Sequence, residues 1–445
     1  FSYLILKFFL KNDFASILGS IFFVLSPIFI NKLGVHLSLG AHWIILLYFF
    51  YKIKNFENNW YFIIIISLSS LIHFYFTMMI FSIEILHCIF IKKIFQNKKF
   101  LINLKYYLYV LSVTIVTMYL FGYFSIPFQD TIGYGYGVYK LNILSVVNPS
   151  GLTNNDYFNW SSFLPTIDLN YGEEEGFNYF GLGFILMFIL FIYNSCTNKV
   201  KKIEYGYCYI IILLTIFALS NNIALGNIDI INIELNRFVE GVLSIARASG
   251  RFFWPIYYFL LLCCLINLKE VFKIHYKKII IVFLIIQVVD LLPGYKHYLN
   301  GKALNDKVKK IDNNLWNKII SKNKIFTSTY QKNQSSDFYK ILSLSVNNNF
   351  KSEIQYFARY DRNQLINLRY KNYLKILNNK LEKDKVYIIN NMGHANHIKN
   401  ILDPNGTHEF IQIDNINILM DKNLSRSLNT NREFLENIKS KKIKL

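Results

Sequence analysis

The sequence predicts a polytopic α-helical membrane protein of about nine transmembrane helices, followed by a C-terminal extracytoplasmic α/β domain. Three observations predict it. Hydrophobic residues make up 53 % of the 445 positions and charged residues only 17 %, where an ordinary soluble domain is about a quarter charged. The apolar residues gather in runs near the length that crosses a bilayer, about 20 residues or somewhat fewer where the bilayer thins. The lysines fall between those runs, in alternate gaps. The same composition excludes a disordered chain, a collagen-like repeat and a disulfide scaffold.

Taken in order, the crossings read 14–30, 37–51, 60–76, 77–91, 101–121, 179–194, 207–225, 251–268 and 279–293. Residues 1–293 are then the multi-spanning region. With residues 1–13 inside, sixteen lysines fall in cytoplasmic loops, among them Lys7, Lys52, Lys92, Lys99, Lys201 and Lys277. Only Lys32, Lys140, Arg237, Arg247 and Arg251 fall outside before the tail. Basic residues retained on the cytoplasmic side orient a membrane protein. The pattern requires 60–91 to cross twice and places residues 294–445 outside. The chain opens at Phe1 on what reads as the end of an apolar segment rather than a signal peptide, so an N-terminal portion is expected upstream.

The net charge of +20 divides unevenly. Residues 1–293 hold 21 Lys and Arg against 15 Asp and Glu, and residues 294–445 hold 27 against 13. The first set lies mostly in short loops and the second is spread without an arginine-rich stripe, so nucleic acid is not an expected partner. The five cysteines, Cys88, Cys196, Cys208, Cys263 and Cys264, lie in or beside apolar runs. No CxxC pair or Cys/His spacing points to zinc.

Two outer loops interrupt the crossings. Residues 122–178 carry Asp130, Asp156, Asp168, Glu173, Glu174 and Glu175 against the single Lys140, with a Gly-Tyr-Gly-Tyr-Gly run at 133–137. A loop this long in a compact protein is usually functional or disordered, and its aromatic content predicts an ordered one over the membrane surface. Residues 226–250 alternate isoleucine with Asp229, Glu234 and Arg237, as an interfacial segment does. In the tail, β-like runs at 324–329, 354–358, 385–390, 409–413 and 416–420 alternate with helical stretches near 335–346, 362–380 and 394–402, which predicts a parallel or mixed sheet. No GxGxxG or Walker loop follows a strand, so nucleotide binding has no support.

Candidate chemistry follows from charge at the membrane edge. Arg247 and Arg251, four residues apart, share a helical face at the mouth of the crossing that starts near 251, where guanidinium forks match a lipid phosphate. Interfacial anchoring beside Trp254 and Tyr257 is the plainer reading. Among Glu173, Glu174 and Glu175, mutual repulsion would raise one pKa and fit that group for acid–base work. Alternatively, one of them would bind a divalent cation (Mg or Mn) with Asp168; a solvated acidic turn is the competing reading. His36 and His42 lie at the outer end of the 37–51 crossing, and ionisable groups in spans default to functional hypotheses, against a neutral histidine bonded between helices. His73 and Glu84 stand equally open. Asp130 reads as a solvated loop carboxylate, and His394, His397 and His408 as surface residues.

The pattern HLSLGAHWIIL, the loop NPSGL…SSFLP…EEEGFNYFGLG, the segment ARASGRFFWPIYY and the tail run IQYFARYD together resemble an uncharacterised family of bacterial inner-membrane proteins, described as a domain of unknown function. That family is thought similar to GT-C glycosyltransferases. The resemblance implies transfer of a sugar from a polyprenyl-phosphate donor to an envelope glycan, lipid or protein acceptor at the outer face. It also implies a catalytic carboxylate in a first outer loop, which would precede Phe1. Arg251 falls in the SGR motif with Arg247 beside it, and Glu175 with Gly176 matches the EG motif. The expected function is therefore a membrane glycosyltransferase with Glu175 and Asp168 as the catalytic candidates present. The alternatives are a lipid-linked glycan flippase and a non-enzymatic envelope assembly protein.

Overall fold

Local caps and backbone breaks cut the apolar runs of the first 300 residues into short helices. The computed structural model describes residues 1–54, 60–91, 100–127, 135–153, 156–197, 204–299, 316–317, 319, 325–329, 351–353, 360–389, 392–413 and 416–429. α1 (Ser2–Leu10) ends where Lys11 turns left-handed at φ 51°. α2 (Asp13–Val24) starts on Asn12, whose side chain accepts from the Ala15 N–H at 3.0 Å, and α3 (Pro27–Val35) starts on a proline, which suits a first turn. After a 3₁₀ turn at Leu37–Gly40 come α4 (Trp43–Lys54), α5 (Trp60–Ile72) and α6 (Phe74–Phe90), the last capped by His73. α7 (Phe100–Leu120), α8 (Leu182–Cys196), α9 (Tyr205–Leu219), α10 (Arg237–Leu243), α11 (Trp254–Phe272), α12 (Tyr276–Asp290) and α13 (Leu292–Leu299) complete the set.

The expected nine crossings are overturned. Among the described residues, one helix is long and apolar enough to cross a membrane, Ser249–Phe272. Two bent pairs pass only if each counts as one span: Asp13–Val24 with Pro27–Leu33, bent 51°, and Tyr276–Asp290 with Leu292–Leu299, bent 54°. The spans then number up to three. A 15-residue helix such as α8 or α9 is about 22 Å long, against a hydrocarbon core of about 30 Å. The reason is local. The run at 37–51 spends its start on a 3₁₀ turn, and the run at 207–225 stops at Leu219, where Ser220 takes φ 69° and a strand follows.

The apolar runs are spent partly on each other. α11 is buried along most of its length and packs on α1, α8, α9 and α12. Outward faces stay apolar: Leu108, Ile115 and Val116 on α7, Ile212 and Ile216 on α9, Val282 and Ile285 on α12. Two hairpins, β1 (Ser150–Thr153) with β2 (Asp156–Asn159) and β3 (Asn222–Leu225) with β4 (Ile228–Asn232), lie in the connecting segments. Gly226 makes the second turn at φ +63°, a region that favours glycine.

The chain divides into two units, Phe1–Ser125 with Ile132–Gly301, and Ile126–Thr131 with Lys302–Leu445. The second holds a small mixed sheet of β5 (Ile325–Ser328), β6 (Lys385–Ile389), β7 (His408–Ile413) and β8 (Ile416–Asp421) in the order β5-β6-β8-β7. The β5–β6 pair is parallel and the others antiparallel. Side chains alternate by face: Val386, Ile388, Ile418 and Met420 join Trp316 on one side, while Tyr387, Ile389 and Leu419 join Ile376 and Ile398 on the other. Ile376 belongs to α14 (Arg362–Leu377) and Ile398 to α15 (Met392–Ile401), and α16 (Lys422–Asn429) follows β8. The expected strand at 354–358, the expected helix at 335–346 and Asp130 lie outside the described residues. His408, expected at the surface, is buried, its Nε2 lying 3.2 Å from the Glu382 carbonyl.

Candidate functional site

The three consecutive glutamates sit on one 3₁₀ turn, Glu173–Gly176, and each points into a different environment. Glu173 turns inward, where Lys140 lies 3.3 Å from its Oε1 and the Asn142 amide donates to Oε2 at 2.7 Å. Lys140 also reaches Asp229 at 3.1 Å. This network, buried at Glu173 and Lys140 and exposed at Asp229, ties the acidic loop to the β3–β4 hairpin. Glu174 is half-buried; desolvation lifts its pKa above the usual carboxylate value.

Glu175 receives two cations on one oxygen. Lys32 Nζ and Arg251 Nη2 each lie 2.7 Å from its Oε2. The cation side chains are 6 % and 9 % exposed and the glutamate 24 %. Desolvation pushes the Glu175 carboxyl up, but the charges of Lys32 and Arg251 outweigh it, and its pKa falls well below the usual range. Arg251 also lies over the Tyr75 ring at 4.7 Å, and its Nε is buried without a hydrogen-bond partner. Arg247, exposed, lies 5.9 Å from the Tyr139 ring. The arrangement holds two nearly buried cations on one ionised carboxylate, with the exposed Arg247 over the Tyr139 ring.

Glycines make the meeting possible. Arg251 is on the 3₁₀ turn Ser249–Phe253 that leads into α11. A Cβ on Gly250 would lie 2.6 Å from Gly176 Cα, and one on Gly176 would lie 1.9 Å from the Lys140 carbonyl oxygen. Only bare backbones let these turns touch. The far end of the loop is fixed by α12. Asp290 accepts from Tyr179 Oη at 2.7 Å and Leu182 N at 2.8 Å, and Gln287 accepts from Phe184 N at 3.0 Å. These side chains satisfy N–H groups in the first turn of α8 that have no partner within their own helix.

The structure thus brings together Glu175, Arg251 and, over Tyr139, Arg247. His36 is exposed at the C-terminal end of α3 and feels the charges of Glu175, Lys32, Arg251 and Arg247. His42 is buried, its Nδ1 2.7 Å from Tyr258 Oη and its ring 4.4 Å from that of Trp254. Asp168 is exposed near Gly226, and among the described residues no hydrogen bond or ion pair joins it to Glu175. Arg247 and Arg251 do not share one helix: Arg247 ends one 3₁₀ turn and Arg251 lies within the next. Lys32 is the residue sequence reasoning missed, counted only as a topological charge. A lone lysine inside the apolar run PIFINKLGV was its signal, because a buried cation needs a partner. Residues 1–292 match the family model of a domain of unknown function, DUF6311, and the chain belongs to that family. No curated protein and no solved structure matches it.

Proposed function

We propose that this DUF6311 chain is a membrane-embedded transferase that holds a phosphate-linked lipid donor at Lys32, Arg247 and Arg251 and passes its sugar to an envelope acceptor at the outer face of a bacterial inner membrane. The observation that carries the phosphate reading is the convergence of Lys32 and Arg251 on one Glu175 oxygen, with the exposed Arg247 over the Tyr139 ring. That cluster has more positive charge than its carboxylate neutralises, and arginine forks match phosphate oxygens. The sugar and the polyprenyl chain are supplied by the resemblance to GT-C enzymes. The apolar outward faces of α7, α9 and α12 support residence in lipid, with the long helix and the bent pairs as the spans.

In this reading the bond between the sugar anomeric carbon and the donor phosphate oxygen breaks as the acceptor oxygen attacks. The departing phosphate gains negative charge against Arg251, Lys32 and Arg247. Glu174, with its raised pKa, takes the acceptor proton, while Glu175 stays ionised and orients the cations. Transfer of a radiolabelled sugar from polyprenyl-phosphate donors by the full-length protein in vesicles tests the activity; no transfer from any such donor counts against it. Lys32→Gln should raise the KM for donor at least tenfold while leaving that for acceptor within twofold. Equal losses for both would remove the phosphate assignment. The rate should rise with pH through the elevated Glu174 pKa, and Glu174→Gln should abolish that limb.

A further inference from the structure

We infer that Glu84, His87 and Cys88 form a binding site for a zinc-class divalent cation, beside an apolar cavity whose wall includes His87. The three residues occupy one turn of α6, where positions three and four apart share a face. One ligating atom from each lies within 4.8 Å of the others. Glu84 and Cys88 are buried and His87 is half-buried. A carboxylate oxygen, an imidazole nitrogen and a thiolate form the mixed donor set that zinc accepts and that magnesium and calcium, which favour oxygen, do not.

The surroundings fit a metal centre. Tyr107 Oη donates to Glu84 Oε1 at 2.8 Å and lies 2.7 Å from Cys88 Sγ. Tyr48 Oη and Lys52 Nζ hold the other Glu84 oxygen at 2.8 Å each. Such second-sphere partners fix the direction of a ligand carboxylate. The Lys52–Glu84 ion pair neutralises the carboxylate, and the Cys88 thiol donates to its Oε1 at 3.6 Å, so two of the three ligand groups are already in contact. A cavity of about 330 Å³ opens between α4, α6, α9 and α11. His87 and Lys52 form part of its wall, and Phe49, Ile83, Ile256 and Phe259 are among its apolar lining. Three protein ligands, with His87 on a cavity wall, leave a fourth position open, the pattern of a catalytic zinc site rather than a closed structural one. This size suits a small organic ligand. Searching the sequence for paired cysteines passes over the site, because its signature is a single Glu-x-x-His-Cys turn.

The site is distinct from the cation cluster at Glu175. Tyr75, under Arg251, and Glu84 are nine residues apart on α6, about 13 Å along the helix. Titration of the full purified chain with cobalt(II) alone tests the inference. One equivalent should bind and give a thiolate-to-cobalt charge-transfer band in the near ultraviolet together with tetrahedral d–d absorption. Cys88→Ser should lose the charge-transfer band, and Cys263→Ser, on the cavity wall but outside the triad, should keep it. If Cys88→Ser does not fold, His87→Ala carries the test, with cobalt affinity expected to fall at least tenfold and the thiolate band retained. Absence of the band in the unaltered chain, its survival in Cys88→Ser, or unchanged affinity in His87→Ala would each overturn the inference. None of these outcomes bears on the phosphate reading at Glu175.

Discussion

Glu175 is where charge and burial are most finely opposed. Its carboxylate neutralises part of two nearly buried cations, and removing its charge leaves both facing one another. Breaking a buried ion pair from one side costs more than the pair contributes, because the survivors stay desolvated. Glu175→Gln should therefore lower stability by about 2–3 kcal/mol, a discounted figure because the glutamate is a quarter exposed. A millimolar excess of inorganic phosphate should restore much of that loss if the cations are built for anions, and thermal unfolding with and without phosphate reads it. Acid should act similarly. The folded pKa of Glu175 lies below its unfolded value, so its contribution is fully present above the ordinary glutamate range near 4.5 and is lost as pH falls toward the depressed folded value. The stability difference between unaltered and Glu175→Gln chains should be constant near neutrality and shrink below about pH 4.5. A difference that grows in acid would contradict the assigned ion pairs.

Among elements, the two 3₁₀ turns that carry Glu175 and Arg251 depend on Gly176 and Gly250 rather than on helix propensity. Gly250→Ala should cost about 1–3 kcal/mol, the range of an overpacked contact, and should weaken phosphate binding by displacing Arg251. Gly241, within α10, has open space around its Cβ position, so Gly241→Ala should instead stabilise by about 0.5–1 kcal/mol. Opposite signs in the two melting curves check both statements. Parts of this were legible in sequence. The EEEG and SGR segments stand out in the sequence, and their glutamate and arginine do meet; the strands at 325–328, 385–389, 408–413 and 416–421 follow their β-like runs closely. Helix ends were not legible, because hydropathy averages over a window while a helix stops at one residue: the positive φ of Ser220, the 3₁₀ turn at Leu37–Gly40, the cap at His73. The Lys32–Glu175 pair spans 143 positions, a separation that no local pattern reports.

For the whole molecule, the distribution of polarity matters more than the number of spans. Inside the first unit lie Glu84, Glu173, Lys140, Arg251, Asp290 and Gln287, each held by polar partners, while isoleucine, leucine and phenylalanine face outward on α2, α7, α9 and α12. Burying one such side chain is worth about 1.5–3 kcal/mol, so a surface carrying many of them is costly in water. Lipid would cover it without requiring each 15-residue helix to cross, since short helices packed around one long span can be flanked by thinned bilayer or interfacial side chains. The chain should accordingly stay in the membrane pellet after alkaline carbonate washing and be released only by detergent. Replacing the exposed Ile212 and Ile216 of α9 by lysine should reduce that retention far more than replacing Lys278 by glutamate, because apolar burial rather than surface charge would hold the protein. Quantitative release by carbonate would mean that those faces are covered by protein, and the lipid-donor reading would fall with it.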